Sequence, residues 1–133
     1  MEGNFMIERI PRARRSFIFT PGLKPEMFPK ALASGADMVC IELEDGIAPK
    51  DKSEARRRAL KIFEQPADED GVERILRINS IREKFGIDDI QAIIETSTPP
   101  PNLMIPKVRT PDEVKIVDEL LTARGHLTKL HVI

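Results

Sequence analysis

Three carboxylates stand close together at Glu42, Glu44 and Asp45, inside the segment ADMVCIELEDGIAPKDK that runs from Ala36 to Lys52. They close an apolar run, Met38 to Leu43, that reads as a buried strand. Strands buried on both faces are normally near-continuous apolar runs. A carboxylate in such a run is costly unless a cation, hydrogen bonds or a metal meets it. The sequence offers the cations: Arg77 in RILRIN and Lys107 in LMIPKV sit near the ends of two further apolar runs. Side chains two apart share a strand face. Glu42 therefore groups with Glu44, Ile75 with Arg77 and Asn79, Leu103 with Ile105 and Lys107, and Ser16 with Ile18 and Thr20. Each strand has one parity that turns polar toward its C-terminal end. Carboxylates, an arginine, a lysine and an asparagine converging on one rim suit a carboxylate or keto-acid ligand, because a guanidinium forks onto a carboxylate in two hydrogen bonds. An internal ion-pair network that only braces the fold satisfies the same pattern, and both readings stand at this point.

A second candidate site is the Pro21-Gly22 turn with Lys24 and Lys30 beyond it. Exposed amides at a helix start attract anions, although a glycine turn before a helix is also ordinary in any βα unit. Arg9 to Arg15 reads as a solvated arm or as a phosphate contact, and Arg56, Arg57 and Arg58 as a wet helix face. His126 and His131 are five apart, which is no metal-ligand spacing, and read as surface polar residues. Cys40, the one cysteine, lies mid-strand and reads as packing rather than as a nucleophile.

The elements that must position these groups alternate. Strands are expected at 15–20, 38–43, 74–79, 103–108 and 129–133, and helices at 25–34, 49–63, 88–96 and 111–124. Gly35 caps the first helix in a left-handed conformation and Gly125 stops the last. Ile87, Ile90, Ile93 and Ile94 form one buried stripe; Val114, Val117, Leu120 and Leu121 form another. Thr110-Pro111-Asp112-Glu113 is a capping box with proline at the first helical position. Gln65 to Glu73 reads as an acidic surface loop. Such βαβ alternation implies a parallel α/β sheet with right-handed crossovers. An open doubly wound sheet and part of a (β/α)8 barrel both fit. A complete barrel takes about 250 residues, so 133 residues hold roughly half of one, and the ending on an apolar strand favours the partial barrel of about four and a half βα units. Residues 1–14 read as an N-terminal arm and 15–133 as the half-barrel domain, whose open edges on the first and fifth strands are expected to drive self-association.

Composition narrows the function classes. The chain is 41% hydrophobic and 32% charged with a net charge of -1, so no global field favours nucleic acid or an anionic membrane. No apolar run approaches the roughly 18 to 20 residues of a membrane span, no secretory signal pattern opens the chain, and a single cysteine suits a reducing cytoplasm.

The segments RRSFIFTPGLKPEMFPKALASGADMVCIELEDGIAPKDKSEAR, LRIN and IPKVRTPDEVKIVDELLT closely resemble the citrate lyase beta-subunit-like enzymes of the HpcH/HpaI aldolase family, with malyl-CoA and citramalyl-CoA lyases nearest. The resemblance runs from Arg15 onward, and the joined motifs PG, LEDGIAP, RIN and PKV carry it. It implies a TIM barrel, assembled as trimers or hexamers, that cleaves or forms a C–C bond between a CoA-thioester enolate and a small keto acid, using Mg²⁺. By position, Arg77 matches the arginine that grips the keto-acid carboxylate, and Phe19 and Lys30 match residues lining the CoA-thioester site. Lys24 stands where the malyl-CoA lyases often carry arginine. Asp45 matches the acid of the LED motif, with a role in orienting water or substrate. With Glu44 it joins Arg77 as a catalytic candidate, and Lys107 joins the substrate-binding set. The family's Mg²⁺ ligands, a glutamate after the strand matched by LHVI and a later aspartate, would fall beyond Ile133, so this chain is expected to hold no metal alone. Three functions follow: a CoA-thioester C–C lyase, a catalytically silent fragment or CoA-binding module, and a CoA-independent keto-acid aldolase.

Overall fold

The computed structural model describes residues 12–67 and 70–133. Arg9 and most of the expected N-terminal arm lie outside the described residues. Five parallel strands, β1 (Phe17–Pro21), β2 (Met38–Glu42), β3 (Glu73–Arg77), β4 (Asn102–Ile105) and β5 (Lys129–Val132), form one sheet in the order β1-β2-β3-β4-β5. Every strand lies beside its sequence neighbour, so right-handed crossovers put every helix on the same side. A doubly wound sheet needs a reversal of strand order to cover both faces, and none occurs here. The sheet is a barrel-like wall whose outermost strands, among the described residues, are β1 and β5.

The helices are α1 (Phe28–Leu32), α2 (Lys52–Ile62), α3 (Lys84–Glu95) and α4 (Pro111–Ala123). Single 3-10 turns, Pro25–Met27 and Pro49–Asp51, lead into α1 and α2. The early prolines explain this, since their fixed φ starts a turn while their missing N–H prevents an earlier one. The helix expected over 25–34 thus shrinks to five α-helical residues, with Gly35 at φ 89° beyond its end as expected. The capping box forms as read, with Thr110 and Glu113 each meeting the other's backbone N–H, and Gly125 at φ 84° follows α4. Among the described residues no helix is long and apolar enough to cross a membrane.

The main core lies between sheet and helices. Val39, Ile41, Leu43, Leu76, Ile78, Leu103 and Ile105 meet Ala55, Ala59, Ile90, Ile93, Val117 and Leu121 there. A smaller cluster, Cys40, Ile75 and Met104 with Phe17 and Met38, lines the other, concave face, which none of the described helices covers. This division corrects two expected parities. On β1 the concave residues are Phe17 and Phe19, with Ile18 packed toward the helices. On β4 Met104 faces the concavity, and Leu103 and Ile105 face the helices. Both strands are apolar on either side, so alternation alone did not distinguish their faces.

Four further expectations change. Ile87 is 59% exposed because α3 begins at Lys84 and turns Gly86, Asp89, Ile90 and Ile93 inward instead, and Leu120 is 44% exposed because α4 buries Glu113, Val117 and Leu121. Glu73 opens β3 and is buried, not part of a surface loop. Arg56 is not solvated: its Nε lies 2.7 Å from Asp89 Oδ1, a fully buried carboxylate. His131 and His126 are half-buried, with ring nitrogens 3.0 Å from Asn102 Oδ1 and the Ile93 carbonyl respectively.

Candidate functional site

The C-terminal ends of β2 and β3 bring the first ion pair together by register alone. Glu42 and Arg77 are direct cross-strand partners, and both point into the concavity. Arg77 Nε donates to Glu42 Oε1 at 3.0 Å, and Nη2 closes the fork onto Oε2. Glu42 also accepts the backbone N–H groups of Glu44 at 2.6 Å and Gly46 at 3.4 Å. Its lone pairs are therefore committed, and its job is to aim Arg77. The Phe19 ring covers one side of the guanidinium, 4.4 Å from Arg77 Cζ, a cation–π stack that fixes the plane of the fork. Phe17 meets Phe19 edge-on with centroids 4.9 Å apart.

Beyond the strand ends, Arg77 Nη1 lies 3.5 Å from Glu44 Oε1. Lys107 Nζ lies 2.8 Å from Glu44 Oε2 and 3.2 Å from Asp45 Oδ1. Lys107 reaches this rim by an unexpected route. It shares a parity with Ile105, which faces the helices, but its φ of 54° turns the chain over. That left-handed conformation costs a non-glycine residue about 1–2 kcal/mol and occurs most often where function requires it. The approach of Lys107 to Glu44 Oε2 is oblique, so this buried oxygen has an ion pair but no hydrogen bond. The hydrogen bond to Glu42, partly opposed by burial, raises the Arg77 pKa above its ordinary value, and Glu44 followed by Asp45 raises that of Lys107. Below the rim, burial pushes the Cys40 thiol up to about 12, so it packs as expected and is not a nucleophile.

Three carboxylates thus face two cations. Glu42, Glu44, Asp45, Arg77, Lys107 and Phe19 are brought together. Asn79, read as part of this rim, is not. It turns into a buried network behind the strands, where its Oδ1 accepts Lys52 Nζ at 2.6 Å and its N–H and Nδ2 donate to Asp89 Oδ2 at 2.8 Å each. Lys24 and Lys30 are exposed, and among the described residues no hydrogen bond or ion pair of their side chains joins them to the rim. The helix start expected to bind anions near them is only a 3-10 turn followed by a five-residue helix. Gly22 has a different reason to be glycine: a Cβ would sit 2.8 Å from Leu43 Cδ2 and 2.9 Å from the Glu42 carbonyl, where the turn after β1 closes onto β2.

Sequence reading missed Lys52, Asp89 and Arg56. Lysine and arginine in a polar helix stretch look solvated, and only Asn79 at a strand end signalled that a buried polar partner was required. A magnesium ion does not fit the residues present. Glu44 Oε2 is one oxygen a hard cation would accept, but the described residues contain no group of three or more His, Cys, Asp or Glu able to hold a metal.

Comparison with known proteins shows the family of the chain. The sequence model described as HpcH/HpaI aldolase/citrate lyase matches residues 15–127. The L-malyl-CoA/beta-methylmalyl-CoA lyase of Cereibacter sphaeroides is 38% identical over 125 residues, covering 90% of this chain and 38% of that protein. The human mitochondrial citramalyl-CoA lyase is 30% identical over 102 residues, covering 77% of this chain and 30% of its own length. The citrate lyase beta subunit of M. tuberculosis, solved with oxaloacetate and magnesium, superposes with a TM-score of 0.61 at 30% identity over 78% of this chain and 44% of that one. The chain therefore spans less than half the length of the proteins it matches.

Proposed function

We propose, from the premise that this chain belongs to the HpcH/HpaI aldolase/citrate lyase family, that it forms the keto-acid end of a C–C lyase acting on a 3-hydroxyacyl-CoA such as malyl-CoA or citramalyl-CoA. The observation that carries the reading is the aimed guanidinium: Arg77, forked by Glu42 and stacked under Phe19, at the C-terminal rim of a concave parallel sheet. Barrels of this kind place their chemistry at that rim.

The reaction breaks the C2–C3 bond. The 3-hydroxyl gives up its proton, the bond's electron pair passes to the thioester as an enolate, and the keto acid leaves; protonation of the enolate carbon yields the acyl-CoA. Arg77 holds the keto-acid carboxylate through Nη1, since Nε and Nη2 are occupied by Glu42. Asp45, with its side chain 69% exposed, orients water or substrate together with Glu44. The exposed ammonium of Lys107 meets the substrate, Phe19 offers its open face to the thioester, and Lys24 and Lys30 meet the distant CoA phosphates. The rim's surplus negative charge repels a carboxylate substrate, so a further cation belongs to the complete site. Magnesium accompanies the solved relative and would supply that charge. Its ligands are not among the residues described, and no step is assigned to it.

The test is keto-acid release from malyl-CoA or citramalyl-CoA by the complete protein carrying this segment. Arg77→Ala is expected to lower kcat/KM by about a hundredfold or more, and near wild-type turnover overturns the reading. Cleavage of free hydroxy acids without CoA points to a keto-acid aldolase instead. A second reading is a CoA-binding module silent in catalysis, since among the described residues the rim offers cations to a CoA thioester but no group of three or more His, Cys, Asp or Glu able to hold a metal. Calorimetric titration of the 133-residue chain with acetyl-CoA, with and without Mg²⁺, separates it: binding without cleavage supports the module.

A further inference from the structure

Behind the rim lies a buried charge that the reaction scheme does not use. Lys52, at the start of α2, is 7% exposed. Its ammonium donates to the carbonyls of Leu43 at 3.1 Å and Glu44 at 2.8 Å, and to Asn79 Oδ1 at 2.6 Å. All three of its donors are thereby used, and no carboxylate among the described residues pairs with it. Asn79 links it at one remove to the Asp89 carboxylate, which Arg56 also meets. Phe85 covers the ammonium at 5.6 Å from its ring centroid. A buried ammonium that spends its hydrogen bonds on main-chain carbonyls is a costly way to brace a fold. The two carbonyls it holds belong to the residues where β2 gives way to the rim carboxylates.

We propose that Lys52 is a positioning residue for the rim. By fixing the Leu43 and Glu44 carbonyls it sets where Glu44 and Asp45 place their carboxylates relative to Arg77 and Lys107. Asn79 ties the same ammonium to the end of β3, so the β2 and β3 ends that carry Glu44 and Arg77 are locked in one arrangement from behind. The inference rests on the rim being the reactive site, but it is tested without assuming so.

The experiment is amide hydrogen exchange by NMR on the 133-residue chain, wild type against Lys52→Met, which keeps the apolar stem and removes the charge and donors. Exchange at Glu44, Gly46 and Ile47, whose N–H groups are bonded within this turn, is expected to quicken about tenfold or more, with Val117 in α4 unchanged. Parallel quickening at Val117 marks a purely structural role and overturns the proposal, as does no change at the turn. If Lys52→Met fails to fold, Lys52→Arg decides by the same comparison, because a planar fork cannot serve three acceptors arranged around an ammonium. In the complete protein kcat is expected to fall about tenfold with KM for the CoA thioester within about twofold, and an unchanged kcat overturns the proposal. Should the wild type cleave nothing, the functional reading falls, and exchange at Glu44 to Ile47 still decides the role of Lys52.

Discussion

The concave face has two polar ends, and they are built differently. At the foot, where the strands begin, Glu73 receives Arg14 through both oxygens at 2.6 and 3.1 Å, with Arg12 3.9 Å away. Asn102 there donates to the Arg74 carbonyl and contacts His131, each at 3.0 Å. Both carboxylate oxygens of Glu73 and both amide atoms of Asn102 have partners. At the rim, three carboxylates share two cations, Glu44 Oε2 lacks a hydrogen bond, and Lys107 holds a strained backbone. Matched groups brace a fold, while unmatched buried groups are where a ligand site is sought. The contrast is what separates a site from a strut when both are made of the same residue types.

The largest expected difference between the ends is catalytic. Arg77→Ala removes about a hundredfold or more of kcat/KM, while Arg14→Ala leaves the rate within about twofold and lowers stability, as measured by urea denaturation. Equal effects of the two on the rate break the comparison. Stability should show the reverse order. Glu73→Gln is expected to cost about 1–3 kcal/mol of unfolding free energy because it strips a satisfied buried carboxylate, whereas Glu44→Gln, which relieves the surplus charge, costs less than about 1 kcal/mol. At Lys107 the ion pairs and the backbone can be separated: Lys107→Gly should be more stable than Lys107→Ala by about 1 kcal/mol, with cleavage lowered alike in both.

The smallest effect is the foot's pH dependence. Burial, partly opposed by Glu73, lowers the His131 pKa below its ordinary value, and the hydrogen bond from Arg14 lowers that of Glu73. In each case the unfolded chain binds the proton more readily, so stability is full above the unfolded pKa and is lost as pH falls through the folded one. Denaturation midpoints should therefore begin to drop below about pH 6.5 and fall further below about pH 4.3. His131→Gln should remove the first phase, and its persistence would show that His131 is not its source.

Much of this was legible in the chain. The order of strands and helices, the capping box at Thr110, the caps at Gly35 and Gly125, and the shared face of Glu42 and Glu44 follow from local periodicity and turn chemistry, which neighbouring residues determine among themselves. The acidic and basic residues of β2 and β3 also marked their own inward face. Phe17, Phe19 and Met104 carried no such mark, since apolar side chains fit either side of a parallel sheet. Lys107 reached the rim only because its φ reversed the parity of β4. Nor did spacing reveal that Lys52, Arg56 and Asp89 are buried, because a charge in a polar helix becomes an internal one only when another element closes over it. What belonged to the sequence was each strand's chemistry and order; which face met which neighbour was settled by packing, where distant side chains compete for the same partners.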